Sequence, residues 1–486
     1  MAESWVNSAR RIGLDLHLEL VGPGSRRTVL TRALREAVRA GRLAPGTRLP
    51  PYRSLAADLG LARNTVADAY AELVAEGWLT ARQGSGTRVA LGAPAADGSG
   101  RHRPNRTAAP TAPTRTGTAA VPGPPRHDLR QGHPDPASFP RGAWLAAGRR
   151  ALTAAPAEAF GPGDPRGRPE LRRALADYLA RVRGVRADPE RIVVCAGFAH
   201  ALRLLSGGAV LRGRLAVEGY GLPFHRELLE RAGLRTEPLT VDEHGARTAE
   251  LATLPHPRAV LLTPAHQFPT GVALHPGRRA AAVDWARGAD ALVLEDDYDG
   301  EFRHDRQPVG ALQGLAPDRV LYLGSVSKSL SPALRLGWLV LPEHLVDPVL
   351  AAKGEREAWT SVPDQLTLAD FIESGSYDRH IRRMRQRYRR RRDQVVATLA
   401  ERAPHLAPTG IAAGLHAVLP LPSGTEAATV RTAAAQGIAL DGLAAFRHPR
   451  AAQPAADGLV IGYAAAAEHA WEAALDALCR ILPPPD

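Results

Sequence analysis

Apolar residues in the first 90 positions recur first at helical spacing and then at strand spacing. Three amphipathic stripes, each followed by a glycine, predict three helices, and two β-prone runs around a glycine turn predict a hairpin. The predicted helices cover residues 26–40, 52–60 and 63–77, and the hairpin covers residues 78–90. This order predicts a winged helix-turn-helix, whose third helix enters the DNA major groove through Arg63, Asn64 and Thr65.

The remainder of the chain alternates short apolar runs with amphipathic stretches. Such alternation predicts a doubly wound, mainly parallel sheet, and therefore an α/β domain. The predicted strands are Ile192–Cys195, Leu215–Val217, Ala259–Thr263, Leu292–Leu294 and Val320–Leu323, and Arg278–Arg287 is one of the predicted helices.

The C-terminal part and the linker have patterns of their own. A long basic helix is predicted near Tyr377–Arg392, and runs at Gly410–His416 and Gly458–Tyr463 suggest strands of a small α+β subdomain. Residues 91–126 are rich in Pro, Thr, Ala, Gly and Arg without apolar periodicity, which predicts a linker. The predicted domains are therefore residues 12–90, linker 91–126 and residues 127–486, with the small subdomain mainly from about residue 355.

The composition is that of a multi-domain cytoplasmic protein. The chain has 486 residues, of which 44% are hydrophobic, so it can bury a sizeable core. Two cysteines exclude a disulfide scaffold and suit a reducing compartment. We predict no membrane span, because no apolar run reaches about 18 residues, no signal peptide and no metal site.

Positive charge is concentrated near the N-terminus. The formal net charge is +12, of which residues 1–90 carry +5, residues 91–126 carry +4 and the remaining 360 residues carry only +3. This distribution indicates an anionic partner, such as double-stranded DNA, for the first quarter of the chain.

The segment Gly324–Leu330 places a lysine in a loop of small hydroxyl residues after an apolar strand. A desolvated Lys328 amine can form a Schiff base with a carbonyl. Ser325, Ser327 and Arg335 have the chemistry that holds a phosphate. By itself, the segment also fits a surface turn with a solvated lysine.

Two further segments follow strand ends, where open α/β sheets bind ligands. In Glu295–Phe302, a buried Asp296 can keep a pyridinium nitrogen protonated and Tyr298 can hydrogen-bond a ring oxygen. Gly197 and Phe198 open a predicted helix, whose backbone N–H groups can bind a phosphate.

Together with Thr263–Gly271, these motifs resemble fold-type I aminotransferases of the pyridoxal-phosphate class, and more closely the aminotransferase-like half of MocR-type regulators. The resemblance implies pyridoxal 5'-phosphate as the cofactor and Lys328 as its Schiff-base residue. The residues that we assign to the cofactor are Gly197, Phe198, Asp296, Tyr298, Ser325, Ser327, Lys328 and Arg335.

The N-terminal segment resembles the GntR-type winged helix, most clearly in Pro45–Pro50 and Glu76–Leu79. One difference is Ala62, which replaces the usual small polar residue and removes an N-cap hydroxyl. Without the resemblance, the helical pattern also fits a three-helix protein-binding domain. The DNA contacts that the resemblance implies are Arg53, Arg63, Asn64, Thr65, Gln83 and Gly84.

Three positions differ from the MocR pattern. Pro162 stands where such chains have a tyrosine that reaches the cofactor phosphate of the neighbouring subunit, and Leu222 stands where an aromatic residue stacks on the pyridine ring. Val460 replaces the arginine that binds the α-carboxylate of an amino acid, so bidentate recognition of a carboxylate is lost. Tyr220 is a less favoured substitute for the stacking residue.

We therefore expect a DNA-binding transcriptional regulator that senses a small amine or a vitamin B6 vitamer through an aldimine at Lys328. Effector binding would shift the protein between arrangements that differ in affinity for DNA. The resemblance also implies a head-to-tail homodimer. A residual transaminase half-reaction is compatible with this function. Two alternatives stay open: an active aminotransferase with a DNA-binding appendage, and a regulator whose aminotransferase-like domain is a cofactor-free dimerisation scaffold.

Overall fold

The computed structural model describes residues 20, 23–39, 43–82, 86–90, 125–207, 210–304, 310–354 and 360–485. The chain forms two compact units, divided between residues 117 and 118. In the described ranges, no helix is both long and apolar enough to cross a bilayer.

The N-terminal unit is a winged helix-turn-helix, as predicted. Its elements are α1 (Arg26–Arg39), α2 (Tyr52–Asp58), α3 (Arg63–Ala75), β1 (Leu79–Arg82) and β2 (Gly86–Val89). The hairpin is antiparallel, with Leu79 opposite Val89. Gln83 and Gly84, at the predicted wing tip, and residues 91–124 of the predicted linker lie outside the described residues.

One apolar face of each helix forms the core of this unit. Leu30 and Leu34 of α1 pack with Val66 and Leu73 of α3, and Trp78 closes the cluster next to the hairpin. These side chains are at most 7% exposed, so the stripes read from the sequence are the buried faces. The helix-turn-helix is therefore held by its own core.

The second unit contains ten α-helices within the described ranges. They are α4 (Arg141–Ala154), α5 (Pro169–Arg183), α6 (Phe198–Gly207), α7 (Pro223–Arg231), α8 (Pro276–Gly288), α9 (Val346–Lys353), α10 (Val362–Glu373), α11 (Ser376–Arg402), α12 (Glu426–Ala435) and α13 (Trp471–Ile481). The predicted basic helix corresponds to α11 and is longer than the sequence pattern indicated.

The strands of this unit alternate with its helices. They are β3 (His127–Asp128), β4 (Ile192–Cys195), β5 (Arg214–Glu218), β6 (Arg235–Leu239), β7 (Val241–Asp242), β8 (Gly245–Ala246), β9 (Ala259–Leu262), β10 (Leu292–Asp296), β11 (Val320–Ser325), β12 (Gly337–Val340), β13 (His416–Pro420), β14 (Ile438–Ala439), β15 (Asp441–Gly442) and β16 (Gly458–Gly462).

Seven strands form the central sheet in the order β4-β12-β11-β10-β9-β5-β6. All neighbouring pairs are parallel except those of β12, which is antiparallel to both β11 and β4. The prediction of a mainly parallel sheet is confirmed. Because β12 alone runs backwards, the carboxyl ends of the other six strands lie at one edge of the sheet.

Both faces of the sheet are buried, as the period-two alternation of strand side chains requires. Ile192 and Val194 of β4 face one core cluster, which includes residues of α5, α10 and α11. Val193 and Cys195 of the same strand face another cluster, which includes residues of α6, α7 and α9. This burial explains why β4 is a continuous apolar run rather than an alternating one.

A smaller sheet, in the order β13-β16-β15, forms the core of the C-terminal subdomain. The suggested strand at Gly458–Tyr463 corresponds to β16, but the suggestion at Gly410–His416 is wrong, because β13 begins only at His416. Gly410 and Gly414 have φ angles of +94° and +70°. A Cβ on Gly414 would lie 2.3 Å from His266 Cε1, so this segment is a tight turn against His266.

Two strands of the central sheet, β6 and β12, were missed by the sequence interpretation. The β12 run, Gly337–Val340, begins only two residues after the candidate phosphate-binding Arg335 and is four residues long, so it gives a weak strand signal. Its residues are fully buried, and Trp338 packs directly over Gly324 of β11, where a Cβ would lie 2.4 Å from the indole nitrogen.

The packing of α3 predicts different effects for the same substitution at two positions. Val66 is 0% exposed, whereas Val74 on the same helix is only partly buried. Val66→Ala is expected to lower the stability of the N-terminal unit by about 2 kcal/mol, since it removes buried methyl groups and leaves a cavity. Native-state hydrogen exchange of the α1 amides measures this loss. Val74→Ala is the matched control, and an equal effect of both variants would contradict this packing.

Candidate functional site

A cavity of about 370 Å³ opens at the edge of the sheet where the carboxyl ends of the strands meet. Four neighbouring strands supply its wall, because the chain leaves β5, β9, β10 and β11 in the same direction. Glu218, Thr263, Asp296 and Ser325 at or next to these strand ends all line it, and so does Lys328. The sheet topology therefore brings together residues that are up to 110 positions apart in the sequence.

Burial separates the acids of the Glu295–Phe302 motif into different roles. Glu295 accepts hydrogen bonds from the backbone N–H groups of Leu312 and Gln313, at 2.7 and 2.8 Å. Asp297 accepts two hydrogen bonds from Arg183, at 2.6 and 3.0 Å. Both acids are therefore fully engaged within the protein.

Asp296 differs from its two neighbours because it lines the cavity. Within the described residues, no donor reaches its carboxylate. Burial, and secondarily the nearby charge of Asp297, raise the pKa of Asp296 well above its usual value. A buried acid without a partner favours a ligand that brings a hydrogen-bond donor or a positive charge.

Lys328 lies in the loop after β11, and its side chain reaches the same cavity. Its Nζ donates a hydrogen bond to the carbonyl oxygen of Gly132. Burial lowers the pKa of Lys328, although the charges of Asp296 and Asp299 oppose this effect. Desolvation thus favours the neutral, nucleophilic form of the amine.

Next to Lys328, the cavity wall forms a cradle suited to an anion. Arg335 donates a hydrogen bond to the Ala196 carbonyl oxygen and has no carboxylate partner in the described part of the chain. Its guanidinium lies against Gly197, whose φ of +89° turns the chain from β4 into α6. Ser325 and Ser327 also line the cavity. Two hydroxyls, an arginine and a helix N-terminus are suited to a phosphate dianion.

Tyr298 also lines the cavity and contacts His266, which with His416 is one of two buried histidines that the sequence interpretation had not selected. The Tyr298 hydroxyl lies 3.1 Å from His266 Nδ1, and that nitrogen lies 2.7 Å from Asp299 Oδ2. His416 Nε2 lies 3.1 Å from the Pro269 carbonyl oxygen, which orients its ring. His266 follows directly after Ala265 in the Thr263–Gly271 motif, so its position in that motif was a usable signal.

In the N-terminal unit, the predicted DNA-contacting residues of α2 and α3 form an exposed surface. Arg53, Arg63 and Asn64 are exposed and Thr65 is partly exposed. Arg63 is the first residue of α3. The N-cap residue Ala62 makes no side-chain hydrogen bond to the helix, as the sequence indicated. The helix N-terminus therefore presents its side chains and free N–H groups to solvent.

Comparison with protein families identifies both units. Residues 27–89 match the model of bacterial regulatory proteins of the gntR family, and residues 129–450 match the model of aminotransferase classes I and II. The second match covers more than half of the chain.

Two curated relatives combine the same two parts. The chain is 34% identical over 443 residues to the HTH-type pyridoxine biosynthesis transcriptional regulator PdxR of Corynebacterium glutamicum, a match that covers 91% of this chain and 92% of that protein. It is 36% identical over 375 residues to the probable rhizopine catabolism regulatory protein MocR of Rhizobium meliloti, covering 76% of each chain.

The chain belongs to the MocR-type subfamily of GntR-family transcriptional regulators.

Solved structures have the same fold as the second, larger unit of this MocR-type regulator. A crystal structure of an archaeal alanine:glyoxylate aminotransferase superposes with a TM-score of 0.66 at 22% identity, covering 73% of this chain and 90% of the other. A kynurenine aminotransferase from Pyrococcus horikoshii has the same TM-score at 23% identity, with the same coverage. The fold class is therefore that of fold-type I aminotransferases.

Val460, one of the three positions that differ from the MocR pattern, lies on β16 and is 0% exposed. It belongs to an apolar cluster that includes Tyr220, Phe268, Val418 and Phe446. Phe268 and Phe446 pack edge to face, with ring centroids 5.1 Å apart. Val460 is thus a well-packed core residue, and its side chain offers nothing to bind a carboxylate.

The other two positions lie in different surroundings. Leu222 lines the cavity directly before α7, whereas Pro162 is exposed on a loop and does not line the cavity of its own chain. Tyr220 also lines the cavity, but it is only 3% exposed and packs in the Val460 cluster.

The ion pair behind the cavity predicts a large stability effect. Arg183 and Asp297 have side chains only 3% and 2% exposed. Arg183→Met is expected to destabilise the protein by about 3–5 kcal/mol, because it leaves the Asp297 carboxylate buried without its cation. The shift of the urea unfolding midpoint measures this effect.

Arg181 provides the matched control on the same helix, since it pairs with Asp378 while 57% exposed. Arg181→Met is expected to cost less than about 1 kcal/mol, as exposed ion pairs contribute little. Comparable losses in the two variants would show that the buried pair does not support the acid motif.

Proposed function

We propose that this regulator binds pyridoxal 5'-phosphate at Lys328 and senses a small amine or a vitamin B6 vitamer through Schiff-base exchange at that residue, which changes its affinity for DNA. The observation that carries the proposal is that Lys328 and Asp296 line the same cavity. Of the four acids at positions 295, 296, 297 and 299, Asp296 is the one whose side chain has no partner among the described residues. An amine and an acid that line one cavity suit an aldehyde that is attached to a basic ring.

The donor and acceptor groups of the cavity fit this cofactor. Arg335, Ser325 and Ser327, with the α6 N-terminus at Gly197 and Phe198, would hold the phosphate. Asp296 would accept a hydrogen bond from the ring nitrogen, and Tyr298 would donate one to the ring oxygen. When bound, the cofactor supplies an electrophilic aldehyde carbon. The protein supplies a desolvated amine, an anion cradle and a wall that limits access of water.

The packing of Val460 supports an effector without an α-carboxylate. The position lies in a closed apolar cluster, so a carboxylate directed there would be desolvated without a partner. We therefore favour a vitamer or a simple amine over an α-amino acid. The relative that covers 91% of this chain is named a regulator of pyridoxine biosynthesis, which favours the vitamer.

The loop of Lys328 is hydrogen-bonded to the long helix α11, which offers a route for a response. The hydroxyl of Tyr377 donates a hydrogen bond to Ser329 Oγ at 2.8 Å, and His380 Nε2 lies 2.7 Å from the Ser329 carbonyl oxygen. A change in the loop at Lys328 would therefore alter contacts made by α11. Coupling to DNA requires that effector and DNA favour different arrangements of the protein.

In solution we expect a head-to-tail homodimer. Leu145 on α4 and Phe160 are 72% and 53% exposed. Single exposed apolar side chains occur on most protein surfaces, so the expectation rests on the family to which the chain belongs. The dimer would then have two DNA-binding surfaces, one from each protomer, as recognition of two half-sites requires.

The chain has only two lysines, Lys328 and Lys353, so the site of the adduct can be tested without ambiguity. After addition of pyridoxal phosphate and borohydride reduction, mass spectrometry is expected to find the adduct on Lys328. Lys328→Ala is expected to lose both the adduct and the visible absorption band. Lys353 binds the backbone carbonyl oxygens of Pro165 and Val194 and lies outside the cavity. Lys353→Met is therefore the control, which should keep the adduct at Lys328.

The same preparation separates the alternatives. No band in the wild type at excess pyridoxal phosphate would indicate a cofactor-free dimerisation scaffold. Steady turnover with an amino donor and a keto acid would indicate an active aminotransferase. An adduct whose exchange with a vitamer or an amine leaves DNA affinity unchanged would contradict the sensing function.

The exposed start of α3 predicts which arginine recognises DNA. Arg63→Ala is expected to weaken binding to a DNA sequence selected by the wild type about tenfold or more, because a guanine contact is lost. Fluorescence anisotropy at one fixed salt concentration measures the effect. Arg26→Ala, an exposed charge at the start of α1, is the matched control and should have a much smaller effect. Equal losses would mean that α3 contributes only unspecific attraction.

A further inference from the structure

The imidazole of His225 is a polar group in the cavity wall that has no role in the proposed function. His225 is the third residue of α7, a helix whose start is set by Pro223 at its first position. Its side chain lines the same cavity as Lys328 and Asp296. The position follows from the sheet, because α7 begins shortly after the carboxyl end of β5.

Neither ring nitrogen of His225 has a hydrogen-bond partner among the residues that the structure describes. Two other histidines line this cavity: His416 is hydrogen-bonded to the Pro269 carbonyl oxygen, and His133 is exposed to solvent, whereas His225 is partly buried. The side chain is only partly buried, so a molecule in the cavity can reach these nitrogens. The imidazole of His225 is therefore available to a molecule in the cavity.

The ring of His225 is also held at a defined place by an aromatic neighbour. Its centroid lies 4.6 Å from that of Phe198, with the two planes at 43°. Phe198 is the first residue of α6, whose N-terminus forms part of the anion cradle. His225 thus lies beside the cradle and within electrostatic range of Lys328.

The surroundings keep this imidazole neutral. Burial, and then the positive charge of Lys328, lower the pKa of His225 to about 4. A neutral imidazole has one N–H donor, one acceptor nitrogen and a flat face that can pack on another ring. It does not add a second positive charge beside the Lys328 amine.

We propose that His225 is a ligand-contacting residue of this site: its face packs against the ring of the molecule held at Lys328, and its N–H donates a hydrogen bond to an oxygen of that molecule. The proposal rests on the proposed function, because it assumes that a flat, oxygen-bearing ring binds in the cavity. Under this proposal the ligand ring still has a flat contact although Leu222 is aliphatic. The contact is made by His225, which lies about one helical turn after Leu222 in the chain.

Pyridoxal phosphate titrations of four proteins test this contact. They are the wild type, His225→Ala, His225→Phe and Phe224→Ala, and the readouts are the Kd from visible absorbance and the induced circular dichroism of the bound ligand. His225→Ala is expected to weaken binding about tenfold and to reduce the circular dichroism, since both the ring contact and the hydrogen bond are lost. His225→Phe keeps the flat face, so it should recover most of the circular dichroism and weaken binding only about threefold. Phe224 is 50% exposed and does not line the cavity, although its ring centroid lies 6.0 Å from that of His225, so its replacement should change both readouts much less than His225→Ala does.

The outcomes separate this proposal from the function on which it rests. A wild type that binds pyridoxal phosphate at Lys328, together with a His225→Ala variant of unchanged affinity and dichroism, would overturn the His225 contact alone. A wild type without a Lys328 adduct would overturn both. If His225→Ala does not fold, His225→Phe decides the matter, because it nearly conserves the side-chain volume. Unchanged affinity of His225→Phe would exclude the hydrogen bond. Unchanged circular dichroism with threefold weaker binding would support both parts of the proposal.

Discussion

The parallel alignment of β10 and β11 is the constraint on which the candidate site depends. Leu294 pairs with Leu321 and Asp296 with Leu323, so the two strands end side by side. An acid at the end of one strand and a lysine in the loop after the next must then face the same cavity. The return strand β12 places Arg335 at this edge as well, because an antiparallel neighbour begins where β11 ends. A cluster of amine, acid and anion cradle thus follows from strand direction.

The cost of burying charge then decides which acid remains available. Four acids within the five residues 295–299 would repel one another and destabilise the fold if all stayed unpaired at a buried strand end. The protein compensates three of these side chains internally, through two backbone N–H groups at Glu295, Arg183 at Asp297 and His266 at Asp299. Asp296 alone of these four faces the cavity uncompensated, so it is the acid that a bound cation or N–H donor would stabilise.

The same cost applies at position 460. An aminotransferase must hold a substrate carboxylate firmly, whereas Val460 here belongs to a buried apolar cluster with Phe268 and Phe446. Anchoring an amino acid there would leave a desolvated charge without a partner. The loop of Lys328 is instead tied by Ser329 to α11. The chain thus has an apolar side chain at Val460, while the loop of Lys328 is hydrogen-bonded to a long helix.

The sequence alone determined the winged helix-turn-helix, most of the parallel strands and the motifs around Asp296 and Lys328, because these follow from local periodicity and from short-range composition. It failed where non-local contacts decide. The turn at Gly410–Gly414 looks apolar enough for a strand, but close packing against His266 prevents one. The internal pairing of the acids beside Asp296, and the availability of the His225 imidazole, depend on groups brought from distant strands and helices. Only the tertiary structure settles such matters, since the hydrogen-bond state and burial of a side chain are set by its neighbours in space and not by its neighbours in sequence.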